Sequence, residues 1–177
     1  MTTSPEPLEY PELDEALAGL PSKERAAQML AINMKYAQCF LDGDFDGMEE
    51  YVVETPVFEE YPEAVRITGR EATRARSERL YPLIEQLDRR KGQDTHRITA
   101  SAFGEDVLIH EFSAVLELPD GSRRRCHLIA VVAFEGDKMV GERVYSDLGY
   151  DVLRRQGFGE DFYALPGVTK LAEEESD

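Results

Sequence analysis

Three side chains in this sequence have the types and settings for acid–base chemistry without a cofactor: Asp147, Tyr36 and His110. Asp147 closes the last strongly apolar run, and a carboxylate beside apolar neighbours is held toward its neutral form, which suits it to move a proton near neutral pH. Tyr36 lies on the inner stripe of a predicted helix, where its phenol can donate to a ligand carbonyl. His110 sits in the middle of the apolar run VLIHEFSAVL, where an imidazole can orient or protonate a ligand. In this arrangement Asp147 moves the proton and Tyr36 and His110 stabilise an oxyanion. Phe112, Leu128 and Tyr145 bed the carbon skeleton, Arg143 holds an anionic group or fixes Asp147, and Glu60 and His96 stand at the cavity's rim. Each residue also has a plainer structural reading. Asp147 can cap the following turn, Glu60 can belong to a solvated Glu59-Glu60 pair, Tyr36 can be a packing residue, and His110 can be a hydrogen-bonded structural histidine.

The elements that must position these groups follow from local chemistry. Pro5, Pro7, Pro11 and Pro21 exclude a long helix from residues 1–21, which read as an arm. Ser22 is placed as the N-cap of a helix running to about Leu41, with Ala26, Met29, Leu30, Asn33, Tyr36, Ala37 and Phe40 on its inner stripe. Asp42-Gly43-Asp44 ends that helix, and Asp44 caps a short second one over 45–52. A strand is expected at 57–61, then a helix from Glu71 to Leu87 with Pro82 as a kink or early break. Four strands follow at 96–103, 107–118, 124–134 and 139–147, then a short helix at 151–156 and the acidic tail from Glu173, predicted disordered. Helices first and a meander of strands after them specify an α+β fold, three N-terminal helices on one face of a curved antiparallel sheet. The domain occupies 22–158, between the arm (1–21) and a C-terminal segment (159–177).

Turn lengths set the sheet register. A two-residue Gly136-Asp137 turn puts Ala130 opposite Arg143, Leu128 opposite Tyr145 and Cys126 opposite Asp147. A three-residue Pro119-Asp120-Gly121 loop puts Ala114 beside Cys126, Phe112 beside Leu128 and His110 beside Ala130. If Gly104-Glu105-Asp106 is also a three-residue loop, His96, Ile98 and Ala100 join them. All of these residues, with Arg143, Tyr145 and Asp147, are expected on the face that looks into a cavity. Ser113, Val115, His127, Ile129, Val131 and Val144 are expected on the other face, which is apolar enough to predict a homodimer built sheet to sheet, the rival cover being the N-terminal arm and C-terminal segment wrapped over it.

Composition narrows the partners. Lys and Arg number 20 against 36 Asp and Glu, a net charge of −16, and such a surface repels nucleic acid and anionic lipid. The N-terminus lacks a charged-then-apolar leader pattern and the two cysteines, Cys39 and Cys126, read as free thiols, so a cytoplasmic location is expected. No run is long enough for a membrane span, and neither the cysteines nor the three histidines have metal-ligand spacing, so no metal or other cofactor is expected.

The segments LDGDFDGMEEYV (41–52), ITGREATRA (67–75) and FEGDKMVGERVYSD (134–147), in this order of elements, resemble the nuclear transport factor 2-like superfamily and its SnoaL-like branch, polyketide cyclases included, over about 22–158. The resemblance implies a cone-shaped sheet with a deep apolar cavity against the helices, on a scaffold that serves isomerases, cyclases, dehydratases, epoxide hydrolases and binding modules. It places Tyr36 at the tyrosine of ketosteroid isomerase and Glu60 at its base, while the protonated acid's position falls on Ala130. Asp147 stands at the last-strand aspartate of SnoaL-type cyclases and at one aspartate of limonene epoxide hydrolase, but Phe112 and Ala114 occupy the positions of that enzyme's arginine and second aspartate. His96 falls near a histidine of scytalone dehydratase. The expected function is therefore a cofactor-independent acid–base enzyme, of isomerase, cyclase or dehydratase type, acting on a hydrophobic carbonyl compound. The alternative is a non-catalytic ligand-binding or dimerisation module of the same fold.

Overall fold

The computed structural model describes residues 19–85, 96–117 and 121–171. The N-terminal arm up to residue 18, the end of the third helix with its following cations, part of the 119–121 loop and the acidic tail lie outside these residues. Helix α1 (Lys23–Asp42) starts where expected: Ser22 Oγ accepts from the Arg25 amide at 3.1 Å. It stops at Gly43, whose φ of 71° is the left-handed conformation that glycine adopts without penalty. The amide of Gly43 then reaches the Phe40 carbonyl and that of Asp44 the Cys39 carbonyl, which satisfies the last turn. Asp44 in turn caps the one-turn helix α2 (Phe45–Met48) through the Gly47 amide. Helix α3 (Arg70–Glu85) passes through Pro82 without ending there.

The strands are β1 (Val52–Tyr61), β2 (Val65–Thr68), β3 (His96–Gly104), β4 (Val107–Glu117), β5 (Arg123–Glu135), β6 (Lys138–Ser146) and β7 (Val168–Lys170), with helix α4 (Leu148–Phe158) between β6 and β7. They form one sheet in the order β3-β4-β5-β6-β1-β2-β7. The expected meander β3 to β6 is present, but the sheet is not wholly antiparallel, because β1 joins it by running parallel to β6. The curved sheet stays unclosed and holds the helices on its concave face. Phe58 at its centre is fully buried, stacked 6.2 Å from the Tyr36 ring and 4.9 Å beneath the Arg76 guanidinium.

The expected register holds between β4 and β5, where His110, Phe112 and Ala114 pair with Ala130, Leu128 and Cys126. It fails between β5 and β6. Glu135 pairs with Lys138 as expected, but a bulge between Ala133 and Phe134 sets Ala130 opposite Val144 and Leu128 opposite Ser146. One extra residue turns every later side chain of β6 over. Val144 therefore faces the cavity rather than a partner, and Arg143 and Tyr145 face outward. The cause lies in β1, whose own pairing to β6 is irregular between Val52 and Val57. Pro56 in that stretch has no amide hydrogen to give, and the β1 backbone presses so close that a Cβ on Gly141 would lie 1.8 Å from the Val57 carbonyl oxygen. In β3 two departures cancel. The turn at Glu105-Asp106 has two residues, not three, and a bulge between Ile98 and Ala100 restores His96 to Ala114 and Ile98 to Phe112. Ala100 moves to the other face and Ser101 takes the place beside His110.

Candidate functional site

The concave face and the helices enclose a cavity of about 220 Å³. Its wall is apolar: Phe40 from α1, Leu80 and Leu83 from α3, and Phe112, Leu128 and Val144 from the sheet. Its polar end gathers Tyr36, Asn33, Glu60, Arg76, Glu142 and Tyr150. Arg76 belongs to the inner stripe of α3 because it lies one turn from both Ala72 and Leu80. Glu142 enters because of the β6 bulge. Tyr150 enters from the first turn of α4.

An ion-pair network fixes this end. Arg76 Nε donates to Glu60 Oε1 at 2.5 Å and Arg154 Nη1 to Glu60 Oε2 at 2.5 Å, so both oxygens of a carboxylate only 1 % exposed are held by arginines. Arg154 also donates to Asp151, and Arg155 bonds the second Asp151 oxygen. Glu142 stands apart, 3.8 Å from Arg76 with its side chain 16 % exposed. Among the described residues three guanidiniums, Arg76, Arg154 and Arg155, meet four carboxylates, of which Glu60 and Asp151 are held closely while Glu142 and Glu63 each come no nearer than 3.8 Å to a guanidinium. Burial raises the Glu142 carboxyl above its ordinary value; Arg76 opposes the rise and Glu60 adds to it. Burial, less Arg76's opposing pull, likewise pushes the Tyr36 phenol up. Tyr150 is pushed to about 12, first by burial and then by Glu60. Tyr36 Oη is buried and makes no well-formed hydrogen bond among the described residues, with the Ser77 hydroxyl its near neighbour.

Of the residues singled out from the sequence, Tyr36, Glu60, Phe112 and Leu128 line this cavity. Glu60 does so as the centre of an ion pair rather than as a solvated carboxylate or a free base. Asp147 does not enter it. Its Oδ1 accepts from the Tyr150 amide and its Oδ2 from the His127 amide, each at 2.8 Å, so it is the N-cap of α4. Its effect on the cavity is indirect, since the cap sets the turn that carries Tyr150. Arg143 and Tyr145 lie on the outer face, Tyr145 stacked on Tyr61 at 4.9 Å. His110 is fully buried on the inner face but not in the cavity wall; its Nδ1 meets Ser101 Oγ at 2.8 Å, and burial lowers its basicity. His96 opens β3 opposite Ala114. Sequence reasoning missed Glu142, Arg76, Arg154 and Tyr150. Helical spacing carried a signal for Arg76 only. Cys126 is buried, and its thiol is pushed up to about 11 by burial, with Asp147 adding to the rise, which makes it inert. Among the described residues no three His, Cys, Asp or Glu side chains are grouped to hold a metal ion, and no helix is long and apolar enough to cross a membrane.

No family model matches the sequence, and no curated protein matches it. Solved structures do match. One is a nuclear transport factor 2-like protein of unknown function from Cytophaga hutchinsonii, 13 % identical over 67 % of this chain and 99 % of that one, with a TM-score of 0.53. The chain has the nuclear transport factor 2-like fold. The epoxide hydrolase/cyclase-like enzyme SalBIII, of pyran ring formation in the polyether salinomycin, shares that fold at 16 % identity over 70 % of this chain and 94 % of its own, with a TM-score of 0.56. So does a Catenulispora acidiphila protein of ketosteroid isomerase-like fold, solved with trimethylamine, at 12 % identity over 66 % of this chain and 85 % of its own, with a TM-score of 0.52. These likenesses reach the nuclear transport factor 2-like scaffold and stop short of an activity.

Proposed function

We propose that the cavity binds a small hydrophobic molecule bearing a carbonyl or comparable oxygen, and that Glu142 acts on it as a cofactor-independent acid, with Tyr36 as a second hydrogen-bond donor. The observation that carries this reading is the meeting, in an apolar cavity, of a buried phenol with no well-formed hydrogen bond among the described residues and a carboxyl that Arg76 approaches only to 3.8 Å and burial pushes toward its protonated form. A neutral carboxyl and a phenol aimed at one oxygen stabilise the negative charge that grows on it in an isomerisation, cyclisation or dehydration. The role assigned to Asp147 from the sequence passes to Glu142, because both Asp147 oxygens already serve backbone amides. Arg76 holds Glu60 in place; burial and the neighbouring Glu60 favour the protonated form of Glu142, against the pull of Arg76.

The test is turnover in a metabolite library, followed by mass spectrometry. Glu142→Gln and Tyr36→Phe should abolish or strongly reduce conversion while Asp147→Asn leaves it intact, and conversion should fall as pH rises through the Glu142 range. Full conversion by Glu142→Gln sinks the assignment. One observation favours a second reading, a binding module without turnover: among the described residues the only other carboxylate lining the cavity, Glu60, has both oxygens tied up and leaves no free base. In that case a co-purified ligand leaves the protein chemically unchanged. We also infer that the outer sheet face pairs with a second copy of the chain, since Ile109, Ile129 and Tyr145 are each more than a third exposed there and Ile129 and Tyr145 are direct cross-strand neighbours.

A further inference from the structure

A second, much smaller cavity of about 20 Å³ lies on the far side of Tyr36, between α1, α2 and α3. Thr73 and Ser77, one turn apart on α3, line it with Tyr36. Tyr36 is 7 % exposed and Thr73 5 %, and neither Tyr36 Oη nor Thr73 Oγ1 makes a well-formed hydrogen bond among the described residues, although the Ser77 hydroxyl lies near enough to the phenol to offset part of the rise that burial causes. Two orphan hydroxyls on one cavity are an uncommon arrangement, because a buried polar group left unpaired is costly. A single water needs on the order of 10–15 Å³ and two to four polar partners, and both conditions are met here.

We propose that this cavity binds one water molecule, held by Tyr36 Oη, Thr73 Oγ1 and Ser77 Oγ, and that the water fixes the direction of the Tyr36 hydroxyl. With an acceptor in the main cavity, the arrangement that spends every hydrogen sets the direction. Ser77 donates its hydrogen to the Thr73 carbonyl at 3.1 Å, so toward the water it can only accept. Thr73 donates to the water, and the water's two hydrogens go to Ser77 Oγ and Tyr36 Oη. Tyr36 then has its own hydrogen left for the main cavity. The group it meets there is that acceptor, such as a ketone or ether oxygen, and not a hydrogen-bond donor. This second step rests on the reading of the main cavity as a ligand site; the water itself does not.

A crystal structure of the full chain at about 1.3 Å, without ligand, tests the site. Density within hydrogen-bond distance of both Tyr36 Oη and Thr73 Oγ1 is expected in the wild type and should be lost in Thr73→Val, which keeps the shape and removes the hydroxyl. An empty cavity, a direct Tyr36–Ser77 bond, or density that persists unchanged in Thr73→Val overturns the proposal. If Thr73→Val does not fold, nuclear Overhauser transfer from a long-lived water to the Thr73 methyl in the wild type decides the same point, and its absence counts against the site. The orienting role is read with cyclohexanone and methylcyclohexane as probes of the main cavity. Thr73→Val should weaken cyclohexanone roughly five-fold, the scale of one hydrogen bond, and leave methylcyclohexane unchanged. Equal affinities of wild type and variant for the ketone overturn the orienting role, while failure of either probe to bind the wild type refutes the ligand-site reading and leaves the crystallographic result standing.

Discussion

Glu142 shows what a single register position does to chemistry. On the outer face it would be one more solvated acid in an acidic chain, whereas inside the sheet's concave face it stands 3.8 Å from Arg76 and burial raises its proton affinity. A carboxyl raised in the folded state lowers stability as pH climbs from the unfolded value through the folded one, because the folded form must then ionise a group it disfavours. Glu142→Gln should therefore raise the melting temperature at pH 8, with the difference shrinking toward zero near pH 4, as read by calorimetry across that range. A constant difference with pH would show that Glu142 does not titrate abnormally. Tyr36→Phe loses no well-formed bond to another described side chain, so its stability cost should be below about 1 kcal/mol, while its ligand binding or turnover suffers. A large loss of stability on chemical denaturation would mean that the hydroxyl is structural.

At the scale of elements, the caps and the bulge decide where the site is. Asp147 joins β6 to α4 by accepting from two backbone amides, so Asp147→Ala should cost about 1–2 kcal/mol, and Asp147→Asn much less because asparagine also caps well. Urea denaturation of the two variants gives the comparison. Gly141 admits the β1 backbone. A methyl there has nowhere to go, so Gly141→Ala should either destabilise by several kcal/mol, on the scale of a severe core overpacking, or shift the β1–β6 pairing, and loss of cavity ligand binding would accompany either outcome.

Across the whole molecule, the ion network ties α3 and α4 to β1, and so braces the polar end of the cone. Glu60→Gln weakens charge-assisted hydrogen bonds to two buried arginines, each of which keeps another carboxylate nearby, and should cost about 1.5–3 kcal/mol on urea denaturation. The outer face supplies a separate test: Ile129→Asp should convert a dimer to a monomer in light scattering, with the cavity unaffected, and a wild type that is already monomeric removes the dimer proposal.

How much of this was legible in the sequence depends on how local its cause is. Ser22, Gly43 and Asp44 marked their helix ends because capping is a matter of two or three neighbouring groups. The inward residues of β4 and β5 were legible because strand alternation and one turn length suffice, and Tyr36, Phe112 and Leu128 reached the cavity as expected. The face of β6 was not legible. Its bulge comes from a parallel contact with β1, a strand far away in sequence, where Pro56 interrupts pairing and the backbone closes on Gly141. That contact sent Arg143 and Tyr145 outward and brought Glu142 in, and with it the pairing of Glu60 to arginines on two different helices. By itself, then, the sequence determined an α+β fold with helices against one face of a curved sheet and an apolar lining between them, because periodicity and capping act over a few residues. Only the tertiary structure decided which acid stands in that cavity, because a one-residue slip set by distant strands reverses a face at no local cost that the sequence displays.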